Sequence, residues 1–318
     1  MRRRQKRMCR RTNEVTSSLS KSRLNSYSAS VFPGLLAGSV FLRLFHLRVF
    51  NYLLLLAIVS GLSGVALLFF NMPAARIETR LPTRVERPCA PVGEFTAVIV
   101  ALGQSNAGNY GSGRYAATEA VDNFDPETGK CFSAIDPLLG ADGSGSAFLT
   151  RLGDILIQSG QFRRVIVVSI AVGGASISAL TSAHIDRIDN LVFKLRRAGL
   201  IPTHFLFEQG ETDASLNTTE AEYLASLTTL VRKFRSEGYQ APFYVAVSTK
   251  CDEVHPGNRL VIRHAQAAAV NADLNIRRGP DIDMIGNSGR AHGNCHMNEV
   301  GTLVQAALWA AFIGHIAN

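Results

Sequence analysis

Ser105 is the residue whose neighbours best suit it to attack an electrophile. It stands in Gly103-Gln104-Ser105-Asn106-Ala107-Gly108, directly after the apolar run Val98-Ile99-Val100-Ala101-Leu102. A short β-rich run bounded by glycine reads as a buried strand, and open α/β sheets bind their ligands just beyond the C-terminal ends of such strands. A serine hydroxyl reacts only when a base takes its proton and N–H donors receive the developing oxyanion. Ser and Asn are also good helix N-caps, so the partners decide between chemistry and capping.

Three later stretches supply partners. Ala171-Val172-Gly173-Gly174-Ala175-Ser176 is a glycine turn after a second apolar run, where backbone can approach a bound group and aim a free N–H at it. Phe207-Glu208-Gln209-Gly210-Glu211-Thr212-Asp213 is a burst of polar side chains at a third strand end. There Gln209 could donate its amide to an oxyanion, Glu211 or Asp213 could orient a histidine, and Thr212 and Asp213 also suit a helix cap. His292-Gly293-Asn294-Cys295-His296 precedes the final helical pattern, and an imidazole titrating near neutral pH makes His296 a base, with His292 its competitor. Two nearby histidines without carboxylates or thiolates at ligand spacing do not make a metal site.

In order and position, Gly103-Gln104-Ser105-Asn106, Gly173-Gly174-Ala175-Ser176, Gln209-Gly210-Glu211-Thr212-Asp213 and Cys295-His296 resemble the blocks of SGNH-type hydrolases. The branch they are most similar to is the sialate O-acetylesterase and acetylxylan esterase group, carbohydrate esterase family 6. The resemblance runs from about Phe95 to Asn318. It implies a flavodoxin-like three-layer α/β/α sandwich with a parallel sheet that removes acetyl groups from carbohydrate. It also implies Ser105 as nucleophile and His296 as base. The oxyanion hole would be the Ser105 N–H, the Gly174 N–H (or that of Gly173) and the Gln209 side chain. Gln104, Asn106, Gly173 and Asp213 in the same blocks are the expected substrate contacts. The family's Asp three residues before the histidine is replaced here by Gly293. The role of orienting acid carries over to Glu211, or a Ser–His dyad steadied by a backbone carbonyl operates. The same residues would serve a carbohydrate O-acetyltransferase, and loss of the acid would suit a catalytically impaired carbohydrate-binding protein of polysaccharide assembly. No cofactor or metal is implied.

The elements that must position these residues alternate along the chain. Strands are expected at 97–102, 164–170, 204–208, 243–248 and 282–285, and helices at 147–158, 185–197, 219–236, 260–271 and 299–317. That alternation argues for βαβ units and a parallel sheet covered on both faces. Tyr110 to Gly145 carries no clear strand or long helix, and a loop of that length inside a domain is usually functional. It is expected to wall the site.

The chain has 318 residues and a formal charge of +8, but residues 1–51 hold eleven Lys/Arg against one acidic residue. The body is left slightly acidic, which argues against nucleic acid as a partner. From Tyr52 to Phe70 the sequence is uncharged and apolar, about the ~20 residues that span a bilayer as a helix. The basic residues before it put the N-terminus in the cytoplasm, and the run is longer than the apolar core of a cleaved signal peptide. The weaker apolar stretch Val31 to Phe45, broken by Arg43, suits an interfacial helix. The expected organisation is a cytoplasmic tail (1–51), a single-pass signal anchor (52–70), a linker (71–93) and an esterase domain (94–318) that is periplasmic or extracellular. Its partners would be the membrane and an acetylated carbohydrate. Exported cysteines can pair. Cys251 and Cys295 both follow strands at the same sheet edge, so Cys251–Cys295 and Cys89–Cys131 are the expected disulfides; zinc lacks a C-x-x-C pair to bind it.

Overall fold

The computed structural model describes residues 82–90 and 92–313. The expected tail, interfacial helix and membrane anchor, most of the linker and the last residues of the C-terminal helix lie outside them. Among the described residues no helix is long and apolar enough to cross a membrane.

Among the described residues eight strands form one sheet: β1 (Glu86–Arg87), β2 (Thr96–Gly103), β3 (Val121–Asp125), β4 (Lys130–Ser133), β5 (Arg164–Ser169), β6 (His204–Glu208), β7 (Phe243–Val247) and β8 (Ile276–Asp281), in the spatial order β1-β4-β3-β5-β2-β6-β7-β8. β2 sits at the centre, paired in parallel with β5 and β6. All eight of its residues are buried, as a strand covered on both faces requires. Taken by themselves, β2, β5, β6, β7 and β8 run in the doubly wound order 2-1-3-4-5, with the switch point beside β2. The sheet is mixed, not wholly parallel as expected, because β3–β4 and β4–β1 pair antiparallel.

Among the described residues the seven α-helices are α1 (Phe148–Gln158), α2 (Ile177–Leu180), α3 (Ile185–Ala198), α4 (Glu211–Ser215), α5 (Glu220–Ser236), α6 (Pro256–Ala268) and α7 (Glu299–Ile313). They divide between two separate hydrophobic cores. Ile188, Leu191 and Leu195 of α3, Tyr223, Leu230 and Phe234 of α5 and Ile262 of α6 pack with one set of strand side chains, including Phe205 against Phe234 at 4.7 Å between ring centroids. Leu149, Leu152 and Leu156 of α1 pack with Trp309 and Ile313 of α7 and the other set. Alternate strand side chains therefore feed opposite cores.

Three expectations change. The 110–145 stretch is not irregular throughout, since it contains the β3–β4 hairpin. β3 is rich in Asp and Asn because their polar groups are used: Arg164 and Arg87 both bond Asp122, and Asn123 bonds the backbone of Leu139 in both directions. The last strand is Ile276–Asp281, upstream of the expected 282–285, which is instead a 3-10 turn at Ile282–Met284. An edge strand carries exposed charges, and Arg277 and Arg278 hide this one from an apolar pattern. Finally, residues 82–90 of the expected linker belong to the fold. They supply β1, the Cys89–Cys131 disulfide and the Arg84 bonds to the carbonyls of Ile135 and Pro137.

Candidate active site

β2 cannot end gradually. Gly103 has φ +137°, and a Cβ there would lie 1.9 Å from the Glu208 carbonyl oxygen of the adjacent β6. Only glycine allows that approach. The chain then turns, Gln104 N–H donates to the Glu208 carbonyl (3.1 Å), and Ser105 opens a short 3-10 turn at the C-terminal end of the sheet.

The segment before α7 comes back over the same edge. His296 Nε2 lies 3.0 Å from Ser105 Oγ, so with its proton on Nδ1 the ring accepts from the hydroxyl. The imidazole is half-buried. Burial first, and the nearby Arg290 guanidinium second, hold its pKa below the ordinary 6.5, which keeps the ring neutral, and so basic, at neutral pH. Its backbone is fixed from several sides. Ala291 N–H donates to the His296 carbonyl (2.8 Å), Arg290 Nη1 donates to the Cys295 carbonyl (2.7 Å), and Cys295 is disulfide-bonded to Cys251 after β7. Both expected disulfides are present.

Ser105 and His296 open into a cleft of about 470 Å³ that is also lined by Gln104, Tyr110, Gly173, Gly174 and Glu211. Gly173 N–H is turned to Asp142 Oδ2 (3.3 Å), whereas the N–H groups of Ser105 and Gly174 have no partner among the described residues. Gly174, exposed and at φ +70°, is therefore the member of the glycine pair with a donor to spare. Gln104 Oε1 accepts from Thr212 N–H (3.1 Å) and Gly210 N–H (3.4 Å), which leaves the amide NH₂ as the end of that side chain without a partner.

Four expected roles do not survive these contacts. Gln209 is completely buried, and its NH₂ donates to Asp213 and to the Ala175 carbonyl, so it faces the protein and not the cleft. Asp213 is likewise buried, accepting from Ile177 N–H (2.8 Å) and tying α2 to α4 instead of touching substrate. Asn106 spends its amide on Glu211 Oε1 (2.7 Å) and the Cys295 carbonyl (3.2 Å). Glu211 does reach the cleft wall, but its Oε1 accepts from Asn106 and from Ser248 Oγ (2.8 Å), and it makes no hydrogen bond or ion pair with His296. It is a buried strut whose pKa burial raises. Gly293, where the family carries its acid, is an exposed turn residue at φ +66°.

Two residues join the site that the sequence did not single out. Tyr110, the first residue of the expected wall, packs its ring 5.2 Å from that of His296, and its hydroxyl occupies the space a Cβ at Gly173 would need. Arg290 is buried and gives its guanidinium to the carbonyls of Ile282, Ile285, Lys250 and Cys295. Nothing local marks either one, because both act through residues distant in sequence. Among the described residues no cluster of three or more His, Cys, Asp or Glu could hold a metal ion.

Ser105, His296 and unpaired backbone N–H groups thus meet at the switch point of a doubly wound sheet, an arrangement chemically capable of acyl transfer. The fold is shared with a protein from Arabidopsis thaliana (TM-score 0.53, 15% identity, 69% of this chain and 97% of that one). Likeness also extends to a carbohydrate acetylesterase from Xanthomonas citri (TM-score 0.45, 17% identity, 70% and 56%) and to a family 3 carbohydrate esterase from Clostridium thermocellum (TM-score 0.45, 15% identity, 68% and 94%). No curated protein matches the chain. Residues 139–299 match the model of the carbohydrate esterase, sialic acid-specific acetylesterase family. The chain belongs to that family and is a carboxylic ester hydrolase, a carbohydrate acetylesterase.

Proposed function

We propose that the chain removes O-acetyl groups from carbohydrate through an acetyl-enzyme on Ser105. The reading rests on one observation above the others, the 3.0 Å approach of His296 Nε2 to Ser105 Oγ at the floor of an open cleft. Ser105 Oγ attacks the acetyl carbonyl carbon while its proton passes to His296 Nε2. The oxyanion is met by the Ser105 and Gly174 N–H groups, with the Gln104 NH₂ beside them. As the tetrahedral adduct collapses, the bond from the acetyl carbon to the sugar oxygen breaks and His296 returns its proton to that oxygen. Water, deprotonated by His296, then releases acetate and restores the serine.

Among the described residues no acid bonds the imidazole. Its orientation falls to the Tyr110 ring, the Arg290 bond to the Cys295 carbonyl and the Cys251–Cys295 link, and a dyad so held works at a lower rate than a full triad. On the same reading the enzyme is a flavodoxin-like SGNH hydrolase domain held on the outer face of a membrane by the 52–70 helix, to which the pair of disulfides lends support. Intact-mass spectrometry after fluorophosphonate treatment tests the mechanism. One adduct is expected on wild type and none on Ser105→Ala, and an unlabelled wild type would favour a catalytically impaired binding protein. Protease added to intact cells is expected to digest the domain; protection until the cells are opened would reverse the topology.

A further inference from the structure

We propose that the substrate is an uncharged O-acetylated oligosaccharide bound across two adjoining grooves, and not an anionic sialoside. This deepens the reading above, on which it rests for the identity of the reacting end.

The first observation is the sign of charge. Among the described residues, the one exposed acidic side chain that lines the catalytic cleft is Glu253, with the buried Glu211 carboxyl in the wall behind it. Among the described residues no Lys or Arg lines it. The cations nearby are committed elsewhere: Arg290 to four carbonyls, and Arg187 to Asp142 and the Gly140 carbonyl. Lys250 Nζ reaches the Ile285 carbonyl. A sugar acid entering here would bring its carboxylate beside that of Glu253 with no compensating cation in the lining, and a cleft lined by one sign focuses that field. Selectivity built this way works by rejection of the charged competitor.

The second observation is continuity. Leu216, 63% exposed, forms a lip shared by the cleft and a second groove of about 680 Å³ between α2 and the start of α5. Pockets of roughly 300–1,000 Å³ hold a ligand of drug size, so each of the two offers room for sugar. The second groove is lined by Ser178, Asn217, Thr218 and Ser226, with Ala225 at its edge. Its one charged lining residue, Glu222, is engaged by Thr219 in the α5 capping box. Hydroxyls and amides on either side of an exposed leucine match a chain of neutral sugars, whose hydroxyls need hydrogen bonds and whose C–H faces need an apolar platform.

The test uses the full chain as the Ser105→Ala variant, which leaves acetyl esters intact, so binding is read whether or not the acylation mechanism holds. Partially acetylated cello-, manno- and xylo-oligosaccharides of one, two and four units, and 9-O-acetylated N-acetylneuraminic acid, are titrated calorimetrically. For the best neutral series, Kd is expected to fall at least tenfold from one unit to four. The Ala225→Trp change, which fills the second groove, should abolish that gain while leaving one-unit binding and, in the otherwise wild-type chain, turnover of 4-nitrophenyl acetate within twofold. The acetylated sialic acid is expected to bind at least tenfold more weakly than the best neutral ligand, and Glu253→Lys to narrow that gap at least threefold. Sialic acid binding as tightly as the best neutral ligand, or a Kd independent of length, would overturn the proposal. Failure of fluorophosphonate labelling would instead overturn the acylation mechanism and leave these titrations standing.

Discussion

Glu208 offers a quantitative test of how the site is supported from below. It ends β6 and is fully buried, its two carboxyl oxygens accepting from Gln305 Nε2 (2.8 Å) and Trp309 Nε1 (2.9 Å) of α7. Burial outweighs both donors and lifts its pKa from the ordinary 4.5 to about 8. Between those two values the native chain holds a proton that the unfolded chain has lost. Stability therefore falls as pH rises through the window, and the slope vanishes below 4.5 and above 8. A gap of about 3.5 pH units at roughly 1.4 kcal/mol per unit amounts to about 5 kcal/mol, a large part of the ~5–15 kcal/mol that holds a domain folded. Glu208→Gln removes the titration and keeps the shape. Urea unfolding of wild type and variant at pH 5, 6.5 and 8 is the assay. The wild-type advantage is expected to shrink by about 3.5 kcal/mol between pH 5 and pH 8, since part of the loss falls outside those end points. Parallel pH profiles, with a difference constant to within about 1 kcal/mol, would refute the assignment of a protonated carboxyl beneath the site.

Other outcomes follow from the same contacts. Because His296 must be neutral to accept the serine proton and its pKa is lowered, the acid limb of kcat/KM for 4-nitrophenyl acetate should rise through a value below 6.5; an inflection above it would count against His296 as base. Glu211→Gln is expected to keep kcat within about tenfold of wild type while His296→Ala loses about a thousandfold or more. Equal losses would restore Glu211 to the role of orienting acid. The two disulfides close loops of similar length, with separations of 44 and 42 residues, so removing either by paired Cys→Ser changes should cost about 4 kcal/mol by chain entropy. Only loss of Cys251–Cys295, whose second cysteine precedes the base, should also lower kcat; an unchanged kcat there would mean that Arg290 and Tyr110 suffice to hold the ring.

The amino-acid sequence by itself determined where the candidate serine and histidine sit. Ser105 follows an apolar run and His296 precedes the last helix, and these are local facts, legible because strand ends and helix starts carry short-range signals. The order of the main elements and the pairing of the cysteines were legible for the same reason, the latter because Cys251 and Cys295 both fall at one edge of one sheet. The β3–β4 hairpin and β8 were not, since at the rim of a sheet Asp122, Asn123, Arg277 and Arg278 replace the apolar alternation that marks a strand. Only the tertiary structure decided which polar groups face the cleft. Gln209 looked like a donor to substrate until Asp213 and the Ala175 carbonyl claimed its amide, and Gly173 was indistinguishable from Gly174 until Asp142 bonded one and left the other free. A side-chain amide or a backbone N–H is spent on whatever partner the folded chain brings within about 3 Å, and those partners lie tens to hundreds of residues away along the sequence.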